Sequence, residues 1–462
     1  MRNTKFAGKA PRKARRFRVN GDPSKSAVRR IPENGPSGPG DQPFEGNKTV
    51  RRPKSLVQLL CFAALSAVAL AGAAFAEDAE KPEPSPLAKA IAASKILFDA
   101  RLRYEAVSQD GIAANADALT YRLRAGFETG KVWETSLLVE FEHIDDLVGD
   151  FNSTINGKTQ FPVVPDPNVT ELNRLQLTNT SLPDTKLTLG RQRIKLDNDR
   201  FVGNVGWRQN EQTFDAVRAE NTSIKGLKVD VAYVDQVNRI FGDDSPMGRW
   251  ESDSWLVNGK YDFPIEGAKL SLGGFAYLLD FSNASAASSQ TYGVNAWAAK
   301  GPFSLKGTYA TQGDYGNQPV AYDADYYMVE GAVASKGFSA GAGYEVLTGD
   351  GTIGFSTPLA TLHAFNGWTD VFLATPANGI EDLYVNAGYA AKAVGPFSLL
   401  SVGVAYHDFS AENVSADYGS EIGVVGVAKI DRFTLLAKYA NYDADGFATD
   451  RNKFWMQLEA AF

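Results

Sequence analysis

The sequence predicts an all-β chain closed into a transmembrane, antiparallel up-and-down β-barrel of 18 strands. Three observations predict it: a strict two-residue alternation of apolar and charged side chains, a regular exchange of short and long connections, and arginines on the rows opposite the apolar ones. In "FDARLRYEA", Phe98, Ala100, Leu102, Tyr104 and Ala106 share one face, and Asp99, Arg101, Arg103 and Glu105 share the other. Successive side chains of a strand point to opposite sides, so this sheet is apolar on one face and charged on the other. A soluble sandwich and a lipid-embedded barrel both accept one such strand.

The pattern recurs along the chain. Leu119, Tyr121, Leu123, Ala125 and Phe127 alternate with Thr120, Arg122, Arg124, Gly126 and Glu128, and similar rows run through Leu227 to Tyr233, Phe303 to Tyr309, Phe338 to Val346 and Phe433 to Tyr439. Aromatic residues sit at the ends of these rows, where a membrane interface favours them. Eight short turns near Thr129, Ser181, Ser223, Phe263, Lys300, Ser335, Val394 and Ile430 separate nine longer polar connections, among them 143 to 170, 197 to 212 and 347 to 382. This arithmetic gives 18 strands with both termini on the short-turn side, the asymmetry of barrels with short periplasmic turns and long external loops. Arg101, Arg103, Arg122 and Arg124 facing lipid would each cost roughly 2–4 kcal/mol near the midplane, so their row faces water in the lumen. A barrel of this strand number is too wide for side chains alone to fill.

The ends of the chain sort the remaining residues. Leu56 to Ala76 is the one long apolar stretch; it follows "RRPK" and ends in Ala74-Phe75-Ala76, the pattern of a signal peptide cut after Ala76. Residues 1–49 are basic, rich in Gly and Pro and without apolar period, which predicts a disordered or misassigned extension, with translation starting at Val50. Residues 50–76 are then the leader, 77–95 a short periplasmic segment and 96–462 the barrel. The only cysteine, Cys61, lies in the leader, so the mature chain holds neither a disulfide nor a thiolate metal site. Residues 1–76 carry 15 Lys and Arg against 4 Asp and Glu, leaving 32 against 50 afterwards, a net charge of about −18 that excludes nucleic acid as a partner. The last strand, "KFWMQLEAAF", ends on Phe462 and resembles the signal read by the outer-membrane barrel assembly machinery.

One stretch breaks the alternation. In "LTLGRQRIKLDNDRFVGNVGWRQNEQTFDAVRAEN", Leu187 and Leu189 share parity with Arg191 and Arg193, so either the strand leaves the apolar belt at Gly190 or a bulge reverses its faces. The stretch resembles the signature of the alginate export family of outer-membrane porins, in which G-R-Q is followed by R-x-V-G, a Trp and F-D. Here these are Gly190, Arg191 and Gln192; Arg200, Val202 and Gly203; Trp207; Phe214 and Asp215. "TPLATLHAFNGWTDVFLATPANGIEDLY", Thr357 to Tyr384, looks like the long loop of many proteobacterial members. The resemblance implies an 18-stranded barrel in the bacterial outer membrane and an arginine-rich conduit for anionic polysaccharide or smaller polar anions.

Guanidinium groups stay charged and pair with carboxylates in a fork, so a row of them offers exchangeable sites to a uronate. Arg101, Arg103, Arg122, Arg124, Arg191, Arg193, Lys195, Arg200, Arg208 and Arg218 are the candidate pore-lining residues. The alternative is that those after Gly190 pair with Asp197, Asp199, Glu211 and Asp215 to position a folded loop. Glu128, Glu134, Glu140 and Glu142 share the wall with them, which makes the lumen mixed in charge. The apolar residues Leu359, Leu362, Phe365, Trp368, Val371, Phe372 and Leu373 are too many for a solvated connection, so the 347–382 loop is expected to pack into the barrel. His143, His363 and His407 are the only histidines, without G-x-S-x-G or H-E-x-x-H, which disfavours a barrel enzyme. A structural or loop-displaying barrel is the other alternative to a channel. No cofactor or metal is expected.

Overall fold

In lipid every backbone polar group must find a partner within the protein, and a closed sheet satisfies all of its strands at once. The computed structural model, which describes residues 83–462, has this closure. Strands β1 (Lys95–Gln109), β2 (Ala116–Glu128), β3 (Thr135–Asp150), β4 (Val169–Asn179), β5 (Thr185–Gln192) and β6 (Thr213–Asn221) form the first third. They are followed by β7 (Leu227–Asn238), β8 (Arg249–Phe263), β9 (Lys269–Leu279), β10 (Ser289–Lys300), β11 (Phe303–Gly313) and β12 (Asp323–Ser335). The circle ends with β13 (Phe338–Leu347), β14 (Ile380–Val394), β15 (Phe397–Ser410), β16 (Asp417–Ile430), β17 (Phe433–Ala444) and β18 (Arg451–Ala461). Each pairs antiparallel with its neighbours in the chain, and β1 closes on β18 from Asp99↔Ala461 to Gln109↔Arg451. The extension, the leader and the alternative start lie outside the described residues.

The faces are those the alternation predicts. Leu102, Val217, Val257, Val294 and Val329 are 40, 53, 39, 58 and 51% exposed, one continuous apolar band that a lipid surround accommodates and water does not. Phe98 and Tyr104, Phe303 and Tyr309, Phe338 and Tyr344, and Phe433 and Tyr439 stand six residues apart on four strands. At about 3.3 Å per residue this sets two aromatic girdles about 20 Å apart along the strands. The terminal Phe462 belongs to the short-turn girdle: its amide donates to the Phe98 carbonyl at 2.8 Å, and the two rings lie 5.6 Å apart.

Two features position the ends. A short helix, α1 (Pro86–Ala92), precedes β1; Ser85 caps it by accepting from the Ala88 amide at 3.2 Å, and Pro86 occupies its first position. The Ala90 carbonyl accepts from the Gly130 amide at 2.9 Å, so α1 docks on the β2–β3 turn. At Gly190 the ladders of β5 with β4 and β6 run on without a register shift. The residue sits at φ +107°, where a Cβ would collide with the Leu175 carbonyl. The strand therefore leaves the apolar belt at Gly190, and Arg191 continues the outward row of Leu187 and Leu189.

An Arg placed in the belt should test the assignment of faces. Val329→Arg should destabilise the barrel by roughly 2–4 kcal/mol in lipid, while Thr308→Arg, opposite Met328 on the inward row, should fall well below that. Urea titration in bilayers measures both.

Candidate functional site

Inside the long-connection half of the barrel, two connections fold inward, 193–212 between β5 and β6 and 348–379 between β13 and β14. The first crosses the lumen. At one side Arg101 Nη1 donates to the carbonyls of Gly206, Trp207 and Arg208 at 3.2, 3.2 and 3.1 Å. At the other, the Asp197 carboxylate accepts from Asn258 of β8 at 2.8 Å and Asn295 of β10 at 3.2 Å. The second connection packs on it through backbone bonds, Gly203 to Leu359 at 2.8 Å and Thr361 to Asp199 at 3.0 Å. Gln212 secures both by donating to the Gly203 and Leu359 carbonyls.

A dry layer fills the space between these loops and the wall. Phe201 meets Phe275, Tyr326 and Phe355 at ring distances of 4.8, 5.2 and 6.1 Å, and Phe372 meets Phe409 and Phe447 at 4.6 and 5.4 Å. The apolar surplus of the 348–379 segment is spent here, as its composition predicts.

The arginines anchor this arrangement. Arg208 forks onto Asp166 at 3.0 and 2.7 Å and reaches Glu105 at 3.0 Å. Arg200 donates to Glu345 at 2.7 Å, Asn366 at 3.0 Å and Thr357 at 3.2 Å. Arg122 pairs with Asp99 and lies 3.4 Å from Glu459; Arg124 pairs with Glu142 and lies 3.5 Å from Glu211. Arg218 forks onto Asp230 at 2.8 and 2.5 Å. Arg103 donates to Gln457 at 3.0 and 2.6 Å and stacks 4.3 Å from the Trp207 ring.

The expected row of pore-lining cations is corrected by these contacts. Arg101, Arg103, Arg124, Arg200 and Arg208 are buried beneath loops that use their charge, and Arg122 and Arg218 are buried against carboxylates of the wall itself. Arg191 is turned outward and forks onto Asp215 at 2.7 and 3.0 Å, so the G-R-Q and F-D segments clamp each other. Arg193, on Glu211 and 3.3 Å from Glu140, and Lys195, 2.9 Å from Asp199, stay partly exposed.

Parity within strands did not reveal the wall-side partners. Lys438 of β17 lies among Trp207, Trp368 and Trp455 at 4.5, 3.9 and 5.5 Å, with its ammonium 2.9 Å from His363 Nε2. His363 stacks on Trp207 at 4.2 Å and meets Asp370 at 2.7 Å; Lys453 completes the set, 2.6 Å from Asp370. The other histidines are also held by polar wall groups, His407 by Asp382 at 2.9 Å and His143 by Thr170 at 2.7 Å and Tyr121 at 3.3 Å. Among the described residues no group of His, Cys, Asp and Glu could hold a metal.

The barrel has counterparts of known structure. OccAB2 of Acinetobacter baumannii matches over 81% of this chain and 99% of its own with a TM-score of 0.63 at 16% identity. OccAB4 of the same organism matches over 80 and 98% with a TM-score of 0.61 at 15% identity. The outer membrane protein OpdK from Pseudomonas aeruginosa matches over 80 and 98% with a TM-score of 0.59 at 15% identity. These similarities show a common fold. No protein-family model and no curated protein matches the chain.

Two titrating groups in the loops set the acid response. Burial and the Lys438 ammonium push the His363 imidazole down to about 3, although Asp370 opposes them. Burial alone would raise Glu211, but Arg124 and Arg193 outweigh it and hold it at about 2. His363 is neutral when docked, so its contribution is complete above the ordinary 6.5 and is lost as pH falls toward 3. Glu211 is ionised when docked, so its contribution is complete above 4.5 and is lost as pH falls toward 2. Hydrogen exchange, corrected for intrinsic rates, should therefore show 348–379 loosening from about pH 6.5 downward. In His363→Gln the onset should move to about pH 4.5. Arg200→Ala, which leaves Glu345 buried and unpaired, should cost roughly 3–5 kcal/mol and raise exchange in the same segment at neutral pH.

Proposed function

We propose that this chain is a non-enzymatic outer-membrane channel, a porin for passive passage of small polar or anionic solutes. The observation that carries the reading is the combination of a closed 18-strand barrel, apolar outside, with an inner wall that stays open in the short-turn half. There many positions of the inward row carry minimal side chains, among them Gly273, Ala332, Gly341, Gly388 and Gly403. A core would be packed with large residues at these positions; small ones leave a water-filled passage. Above them the crossing segment 193–212 narrows the lumen, which favours small solutes over a polysaccharide chain.

The finer reading, membership of the alginate export family with uronates as solutes, rests on the signature around Gly190 to Asp215 and on the long loop after Thr357. Its residues are present, and their contacts fix the loops. The C-terminal Phe462, paired with Phe98 in the folded barrel, is free in the nascent chain to serve as the signal for the assembly machinery.

Planar-bilayer recording of the purified protein tests the channel. Steady conductance in KCl is the expected result, and a loop-displaying barrel without transport would give none. Replacing Thr357–Ile380 by a short Gly-Ser linker should raise single-channel conductance, because the segment occupies lumen cross-section. Liposome swelling with uronates, neutral sugars and amino acids ranks the solutes; a neutral sugar entering as fast as a uronate of equal size would refute anion preference.

A further inference from the structure

With the arginines buried, the charge a solute meets lies elsewhere. Lys186 of β5, Lys228 of β7, Lys260 of β8 and Lys269 of β9 stand on the inward row near the short-turn ends of their strands. Lys228 and Lys260 are directly opposite in the ladder. The side chains of Lys186, Lys228 and Lys260 are 48, 52 and 42% exposed, and Lys269 is exposed as well.

The nearby carboxylates do not neutralise them. Glu220 alone serves Lys186, Lys228 at 3.1 Å and Arg218 at 3.5 Å. Asp230 is taken by the fork of Arg218 and lies 3.9 Å from Lys228. Asp262 lies 3.6 Å from Lys260 and accepts from the Ser271 hydroxyl. Lys269 meets the face of Trp297 at 5.8 Å and pairs with no carboxylate among the described residues. Five cations therefore share three carboxylates, and with Lys225, Asp184 and Glu266 of the flanking turns the mouth stays net positive. Like charges directly opposite in a ladder destabilise it, and a mobile anion between Lys228 and Lys260 relieves that repulsion. Flexible ammonium groups hold an anion by charge without a fixed geometry, which suits a site that must release it.

We infer that Lys186, Lys228, Lys260 and Lys269 form an anion-docking site at the short-turn mouth of the lumen and set the charge selectivity of the channel. The site takes small anions, carboxylate or phosphate alike, and rests on the channel reading above. Its focusing of anions inside a low-dielectric wall raises their local concentration and hence their share of the current.

The test uses the full-length protein in planar bilayers under a KCl gradient. In Lys186→Gln/Lys228→Gln/Lys260→Gln/Lys269→Gln the anion-to-cation permeability ratio should fall at least about threefold, while the barrel keeps its heat resistance on gels. The fourfold Lys→Arg variant should keep the ratio. Citrate added to one side should block wild-type current more strongly than from the other, and this asymmetry should vanish in the Gln variant. A Gln variant that conducts with an unchanged reversal potential overturns the site and leaves the channel standing. Loss of selectivity in the Arg variant as well would point to barrel damage rather than charge and would overturn it too. A wild-type protein that carries no current refutes the channel, and the site with it.

Discussion

Everything in this barrel follows from one constraint: lipid offers no partner to a backbone amide or carbonyl. The β1–β18 ladder removes the last free edges, and once the sheet closes at 18 strands its interior is too wide for side chains to span. The chain fills part of that space with its own connections. A connection inside the lumen brings its own backbone polar groups away from bulk water, and those groups need donors. Three successive carbonyls of the crossing segment, from Gly206 to Arg208, converge on a single guanidinium nitrogen of Arg101. The arginine rows are thus consumed by the loops and by wall carboxylates before a solute reaches them.

A buried ion pair contributes little net stability, because desolvation offsets attraction, yet removing one partner is costly. Arg208 with Asp166 and Glu105, and Arg200 with Glu345, therefore define where the loops sit more than how tightly the barrel holds together. Lys438 solves the same problem differently. Three indole faces and a neutral imidazole surround its ammonium, so the wall grips Trp207 from 193–212 and Trp368 and His363 from 348–379 through one cation. The two loops are coupled there as well as through the Gly203 and Leu359 backbone.

The barrel was legible because its signals are local. Alternation around Phe98 to Ala106 fixes which side chains face inward, and the exchange of short and long connections fixes strand number and the side of the termini. The roles of the arginines were not legible, since a two-residue period says which way Arg103 points and nothing of what covers it. The Trp207 above it comes from a loop more than a hundred residues away. Helix α1 was missed although Ser85-Pro86 announces a helix start, because the segment is only seven residues long and its one apolar set, Leu87, Ala90 and Ile91, has no room to repeat. The Gly190 alternatives needed the ladder: only continuous pairing of Arg191 with Leu175 and Asp215 separates a strand leaving the belt from a bulge.

The two ends of the lumen consequently do different work. At the long-connection end the wall is lined by Phe275, Tyr277, Tyr326 and Tyr442, and two ion-paired loops close on it, so passage there is limited by size and by how far the loops move. At the short-turn end many inward positions are Gly, Ala, Ser or Asn, set among the lysines and single larger residues such as Trp297, and turns such as Gly301-Pro302 and Lys336-Gly337 are only two residues long. The cationic charge in excess of its carboxylates at that end faces water and acts at a distance. The large negative total of residues 77–462 has no bearing on this, because external carboxylates are screened beyond about 10 Å in ordinary salt while lumen cations act through a low-dielectric wall. An acidic barrel can therefore present a basic mouth, and the sign of its selectivity follows the few lysines left uncovered rather than its net charge.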